Sequence, residues 1–247
     1  MSIEDNIVSP SAMVQDQGAK VLVYGASGSG KTYLCSTAPG KKLVISAEAG
    51  LLSIKDKPNI DAIEVKEAAE VMELHNSLRN GKLKGKYDTV CLDSISEISE
   101  LLLSAEKAKH KDARMAYGNV QETVTNVMRA FRDLQMHVIF LCKEEKLNVD
   151  GSLVHEPKMV GAKLGQSIPY FFDEVLALRV IERQDEEGNL TRERWLQTEI
   201  GQGFNAKDRS GLLEPFEEPN LTNLITKLGF ISSAPKVQEV KTAEGGS

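Results

Sequence analysis

Residues 25–32, GASGSGKT, hold the densest chemistry in the chain. Gly25, Gly30, Lys31 and Thr32 occupy the fixed positions of G-x-x-x-x-G-K-[ST], a loop that cradles phosphate. Gly25, Gly28 and Gly30 let the backbone curl into a nest whose N–H groups point inward at phosphate oxygens. Lys31 is spaced to reach the β- and γ-phosphates, and the Thr32 hydroxyl to hold Mg2+. The predicted contacts therefore run through Gly25, Ala26, Ser27, Gly28, Ser29, Gly30, Lys31 and Thr32 to Tyr33, with ATP or GTP and Mg2+ as ligands. A glycine-rich turn without a ligand is the bland alternative; all four fixed positions and the strand-then-helix context speak against it.

Two carboxylates extend this centre. Asp93 closes the apolar run 87–93, YDTVCLD, in the setting of an acid that orients Mg2+ through its water shell. Its alternative role is to cap the next helix. Many ATPases of the AAA+ class place a glutamate directly after this aspartate to activate water, but here the neighbour is Ser94. A general base has to come from elsewhere, and Glu48, closing the second predicted strand beside the loop, is the candidate. Position alone also allows an exposed strand-end acid. Lys207 and Arg209 stand two residues apart on a predicted extended segment, so both face one way and can address one anion; a solvated charged turn is the alternative.

Two basic stretches follow strand ends. The first, 107–118, carries Lys107, Lys109, His110, Lys111 and Arg114, with Tyr117 beside them. The second, 143–165, carries Lys143, Lys146, His155, Lys158 and Lys163. Cations tracking a phosphate backbone with few aromatics fit sequence-tolerant contacts to single-stranded DNA. Basic runs are also ordinary solvated faces.

The elements that must position these residues alternate. Strands are predicted at 21–24, 42–47, 59–65, 87–93 and 137–142, with apolar residues at helical spacing over 66–79, from Ile95 to Ala105, and from Val120 to Leu134. Such alternation predicts an α/β fold with a mostly parallel sheet covered by helices on both faces. After Lys143 the pattern changes to a long polar connection with a turn at Asp150-Gly151. A hairpin is expected from 174–182 and 192–198, and a short helix at 221–230. The expected organisation is an N-terminal arm, 1–18, a core, 19–231, and a polar tail, 232–247, without core residues and read as disordered.

Composition narrows the class. Hydrophobic residues form 41% and charged ones 27%, an ordinary globular balance. No window reaches the run of apolar residues a membrane span needs. With an acidic N-terminus lacking an apolar signal region, a cytosolic location is expected. A net charge of −6 argues against an evenly basic coat, though not against a local basic stripe. Three cysteines are too few and wrongly spaced for a zinc site, and Cys91 and Cys142 lie in apolar runs as small buried hydrophobes. No N-K-x-D guanine-reading motif is present.

The segment 43–50, LVISAEAG, resembles the strand-to-glutamate segment of RecA-like recombinases. GAKLGQSIPYFFDEVLAL, 161–178, is similar to the stretch after the second DNA-binding loop of core-only RecA-like ATPases encoded by phages, AAA-family proteins of single-strand-annealing type. The resemblance covers about residues 19–214, carried by the phosphate loop with Glu48, Asp93-Ser94 and the late segments. It implies that Glu48 is the catalytic base and that Lys143 senses the γ-phosphate. It implies that Lys207 and Arg209 reach in trans into a neighbour's nucleotide, and that the two basic stretches are DNA-binding loops. It further implies a phage protein in a bacterial host that assembles head-to-tail as a ring or filament on single-stranded DNA, with a single-strand-binding protein as a further partner. The implied activity is a Mg-dependent, DNA-stimulated ATPase serving recombination or annealing. A ring helicase or helicase loader, and a nucleotide-gated scaffold with little turnover, are the alternatives.

Overall fold

The computed structural model describes residues 7, 9–48, 50–110, 112–184 and 188–231. Lys111, the expected tail 232–247 and residues 1–6 and 8 of the expected arm lie outside them. Within the arm, Pro10–Gln17 forms a helix, α1.

The strands are β1 (Lys20–Gly25), β2 (Lys42–Ser46), β3 (Ile60–Glu64), β4 (Thr89–Asp93), β5 (His137–Val149), β6 (Ser152–Pro157), β7 (Glu174–Gln184), β8 (Leu190–Gln197), β9 (Lys207–Asp208) and β10 (Phe216–Glu217). They join one sheet, in the order β10-β8-β7-β1-β5-β4-β2-β3, with β6 on β5 and β9 on β7. Pairings from β7 through β3 are parallel, and β8, β9, β10 and β6 run antiparallel to their partners. The mostly parallel sheet expected from the alternation is therefore present, with the C-terminal hairpin at 174–197.

Helices α2 (Lys31–Cys35) and α7 (Leu221–Lys227) cover one face. Helices α3 (Ala68–Asn80), α4 (Ile95–Lys109) and α5 (Ala113–Arg132) cover the other. The pleat sends Leu22 and Tyr24 to the α3–α5 side and Val21 and Val23 to the α2 side. Both faces are buried, so the core strands read as continuous apolar runs. Glu67 and Glu70 make a reciprocal capping box at the start of α3. All three cysteines are buried. Among the described residues, no helix is long and apolar enough to cross a membrane.

Two expectations need correction. The basic stretch 107–118 is not a loop: Lys107 and Lys109 lie in the last turn of α4, and Arg114 and Tyr117 in the first turns of α5. Asp112 accepts the Arg114 N–H at 2.9 Å and starts α5 early, because the buried stripe of that helix already begins at Ala116. At 20 residues α5 is about 30 Å long, against ~17 Å for a five-residue strand. It ends below β5, so its first turns rise past the C-terminal edge of the sheet, where Gln121 stands beside Gly161. The stretch 143–165 is also mostly ordered secondary structure. There β5 continues to Val149, turns at Asp150-Gly151 and returns as β6, and Ala162–Ser167 forms α6. Polar composition concealed this strand because its residues beyond Cys142 are mostly charged or polar and only partly buried.

Candidate active site

Everything in the phosphate loop follows from where β1 stops. A Cβ at Gly25 would lie 2.6 Å from the Leu178 carbonyl oxygen, so only glycine lets β1 end against β7. Gly30 sits at φ 103°, a left-handed conformation that suits glycine and turns the chain into α2. Beyond the loop lies a cavity of about 800 Å3, lined among others by Gly28, Lys31, Thr32, Glu48, Asp93 and Lys143. That size accommodates a nucleotide.

Lys31 Nζ donates to the Gly25 and Ala26 carbonyl oxygens at 2.8 and 3.0 Å, folded back over the nest. Burial draws its pKa down, while Glu48 and Asp93 pull it back up. The Thr32 hydroxyl donates to Asp93 Oδ2 at 2.6 Å. Asp93 is 2% exposed, and burial raises its carboxyl against the opposing Thr32 bond. Its register partner on β2, Ser46, has a buried hydroxyl without a hydrogen bond. Thr32 and Asp93 supply two hard oxygens on one wall of the cavity, a donor set that fits Mg2+ completed by phosphate oxygens and water. Mg2+ at that place would neutralise charge on the triphosphate.

Glu48 follows β2 and accepts a hydrogen bond from Ser94 Oγ at 2.5 Å. β2 pairs with β4, so the two acids arrive on neighbouring strand ends facing the same cavity. Ser94 is also the N-cap of α4, accepting the Glu97 N–H at 3.3 Å. Lys143, at the edge register with Gly25, pairs with Glu97 and stands 3.8 Å from Glu48. Burial lowers the Lys143 pKa, but the Glu97 bond and the charges of Glu100, Glu48 and Glu97 outweigh it and leave it raised. Tyr33 is 46% exposed at the rim, with Lys57 Nζ 4.7 Å from its ring centroid.

The predicted residues thus divide. Gly25, Ser27, Gly28, Gly30–Tyr33, Glu48, Asp93 and Lys143 come together around one cavity, while Ala26 and Ser29 turn to the outer side of the loop. Lys207 and Arg209 do not: β9 pairs with the first residues of β7, at the N-terminal edge of the sheet. There Lys207 Nζ donates to the Pro169 and Phe172 carbonyl oxygens at 2.6 and 2.7 Å, and Arg209 pairs with Asp173 at 2.7 Å. Within the protomer they address different groups rather than one anion.

The candidate DNA-binding cations stand on projections from the C-terminal edge. At the helical tip, Lys109 pairs with Glu106 at 2.9 Å, and Lys107 lies 5.5 Å from the Tyr117 ring. Tyr117 is 38% exposed, so it is not part of the core stripe. Lys158 pairs with Glu100 at 3.4 Å and Lys146 with Glu144 at 3.9 Å. Lys163 falls in α6, and its side chain lies outside the described set.

Arg194 escaped the sequence reading. It reaches from β8 to donate Nε–H to the Ser29 carbonyl oxygen at 2.9 Å and lines the cavity. Its sequence separation from the loop, inside a strand with several other cations, leaves no local signal. Tertiary pairing of β8 on β7 alone brings it there.

A family model described as an AAA domain matches residues 17–210. None of the curated proteins matches the chain.

Proposed function

The chain belongs to that AAA domain family, and from this premise we propose that it is a Mg-dependent ATPase stimulated by single-stranded DNA. The coarser activity, nucleotide-binding ATPase, goes with the family. The observation that carries the finer reading is the meeting of the phosphate loop, the Thr32–Asp93 pair and Glu48 around one cavity.

In the proposed reaction, Lys31 exchanges its two carbonyl acceptors for phosphate oxygens. Thr32 and Asp93 would hold Mg2+, which supplies charge neutralisation on the triphosphate. Glu48 takes the proton of the attacking water, and the terminal P–O bond breaks to give ADP and phosphate. Ser94 donates to Glu48 and orients its carboxylate. Lys143, already within reach of Glu48, reports the γ-phosphate to the Glu97 helix. Basic projections over the same edge would hold DNA, which fits a role in recombination or strand annealing in phage DNA metabolism. Lys207 and Arg209 face away from their own cavity and would act on a neighbour's nucleotide, in a head-to-tail ring or filament.

Phosphate release measured with and without single-stranded DNA at low salt tests the reading. Stimulation is expected, together with loss of turnover in Glu48→Gln at near-normal nucleotide affinity. Turnover without stimulation removes the DNA dependence. Intact hydrolysis in Glu48→Gln removes Glu48 as the base.

A further inference from the structure

The arrangement around β1 contains a second site. β1 ends at Gly25, but both of its neighbours continue beyond that level, β5 to Val149 and β7 to Gln184. Each then folds back as a hairpin, β5–β6 and β7–β8. Beyond Gly25 the space between them is partly closed by residues 203–205, which hydrogen-bond His155 of β6, and the remainder is a cleft. Its floor is Ala26–Ser29, the outer side of the phosphate loop, and its volume is about 630 Å3. We infer that this cleft binds a segment of single-stranded DNA, its phosphates on the cations of the two hairpins. The inference rests on the nucleic-acid reading above and specifies where the strand lies.

Charge favours a polyanion. Lys146 and His155 project from one wall, and Arg179, Arg192 and Arg194 from the other, against two acids, Glu144 and Glu182. Those acids brace the walls: Glu144 accepts from His155 Nδ1 at 2.8 Å and lies 3.9 Å from Lys146, and Glu182 pairs with Arg192 at 2.7 Å. Among the described residues, neither Arg179 nor Arg194 has a carboxylate partner in an ion pair. Arg179 is held by neutral groups instead, donating to Gln197 and Gln202 at 2.7 and 2.8 Å. Cations in excess of acids along a narrow groove are what phosphates replace counterions on.

Aromatic rings are interleaved with these cations. His155 stacks on Phe204 with centroids 4.0 Å apart, and the Arg179 guanidinium lies 4.3 Å from the same ring. Arg179 also lines an adjoining hollow with Arg183, Trp195 and Phe216. Alternating guanidinium and ring surfaces suit splayed bases of a single strand. Because Ser27 and Gly28 line both cavities, a strand in the cleft presses on the loop that holds the triphosphate. That contact is a direct physical route for DNA to bias nucleotide turnover.

Trp195 is the chain's one tryptophan, so its emission reports on the adjoining hollow without labelling. The full chain is titrated with fluorescein-labelled oligo-dT, following both anisotropy and tryptophan emission. Two double variants are compared: Arg183→Glu with Arg192→Glu in the cleft region, and Lys109→Glu with Arg114→Glu at the helical tip. Arg183 and Arg192 are largely solvent-exposed, and melting temperatures confirm that each variant folds. Expected are quenching of Trp195 in the wild type and at least about a tenfold loss of affinity in the cleft variant, with a smaller loss at the tip. Unchanged affinity in the cleft variant, unmoved Trp195 emission on saturation, or equal competition by duplex overturns the cleft while leaving DNA binding itself intact. Absence of any oligo-dT binding by the wild type overturns both readings at once.

Discussion

The two edges of the central sheet each hold a lysine that donates to two backbone carbonyls, and the comparison separates bonding from function. At the C-terminal edge Lys31 bonds Gly25 and Ala26; at the N-terminal edge Lys207 bonds Pro169 and Phe172. Burial draws both pKa values down. The acceptors of Lys31 belong to a glycine nest open to a cavity, so a phosphate can replace them. Those of Lys207 belong to the short 3-10 turn at Ile168–Phe171 and its exit, packed beside β7. Leaving buried carbonyls unpaired costs about 1–3 kcal/mol, which sets the resistance to moving Lys207. An identical pair of hydrogen bonds therefore locks one lysine and parks the other.

The strongest way to break this contrast is at Lys31. Lys31→Ala is expected to weaken binding of a fluorescent ATP analogue by about a hundredfold, from the loss of charge-assisted bonds of ~1.5–3 kcal/mol each. Urea unfolding of the nucleotide-free protein should shift little. An affinity within a fewfold of wild type would mean that the parked lysine never engages phosphate. Glu48→Gln comes next. Turnover should fall about 10²- to 10⁴-fold while nucleotide affinity holds, as judged by single-turnover hydrolysis beside equilibrium titration.

Lys207→Ala probes the other edge. Its expected signature is a loss of about 1–3 kcal/mol in urea melts, because two carbonyls lose their donor. Turnover that collapses at unchanged stability would instead sharpen the trans reading, and mixing with Lys31→Ala protomers would then restore activity in shared sites.

The acid beside Lys207 carries a pH effect. Glu174 is 2% exposed, with one carboxyl oxygen lacking a hydrogen bond, and burial together with Asp208 and Asp173 pushes its pKa to about 8. The unfolded chain ionises this group at the ordinary glutamate value of 4.5. Between these values the native state holds the extra proton, so the contribution of Glu174 is fully present below 4.5 and is lost as pH rises through 8. Glu174→Gln should flatten that part of the stability profile, leaving pH 4 nearly unchanged and gaining on the order of a few kcal/mol near pH 9. Chemical denaturation at several pH values would show it, and an unchanged slope would argue that Glu174 is ionised in the native state.

Much of this was legible in the sequence because it depends on neighbours along the chain. The β1 run, the loop, the acid ending YDTVCLD and the α3 capping signals are local patterns with local physics. Glu48 was readable as the acid closing the second strand, but the expected adjacency of that strand to the loop does not hold: β5 and β4 lie between β2 and β1, and Glu48 meets the loop only across the cavity. The stretches 107–118 and 143–165 are helix ends and a hairpin rather than loops, because polar composition does not fix conformation. Lys107 and Lys109 are helical although polar, since Asp112 and the stripe from Ala116 continue the helical pair. Leu147 and Val154 pair across a turn although most of the hairpin's residues are polar and only partly buried. Arg194 had no signal at all.

By itself, the order of residues determined which atoms can do chemistry: a nest that admits phosphate, a hydroxyl and an acid for Mg2+, and two cations spaced two apart. Only the tertiary structure decided which of these share a space. The parallel order β1-β5-β4-β2 brings Glu48 and Asp93 to the same sheet edge as Gly25, while antiparallel pairing carries Arg194 to Ser29 and leaves Lys207 and Arg209 at the opposite edge. The reason is that side-chain type is set residue by residue, whereas proximity is set by sheet register, which no local stretch contains.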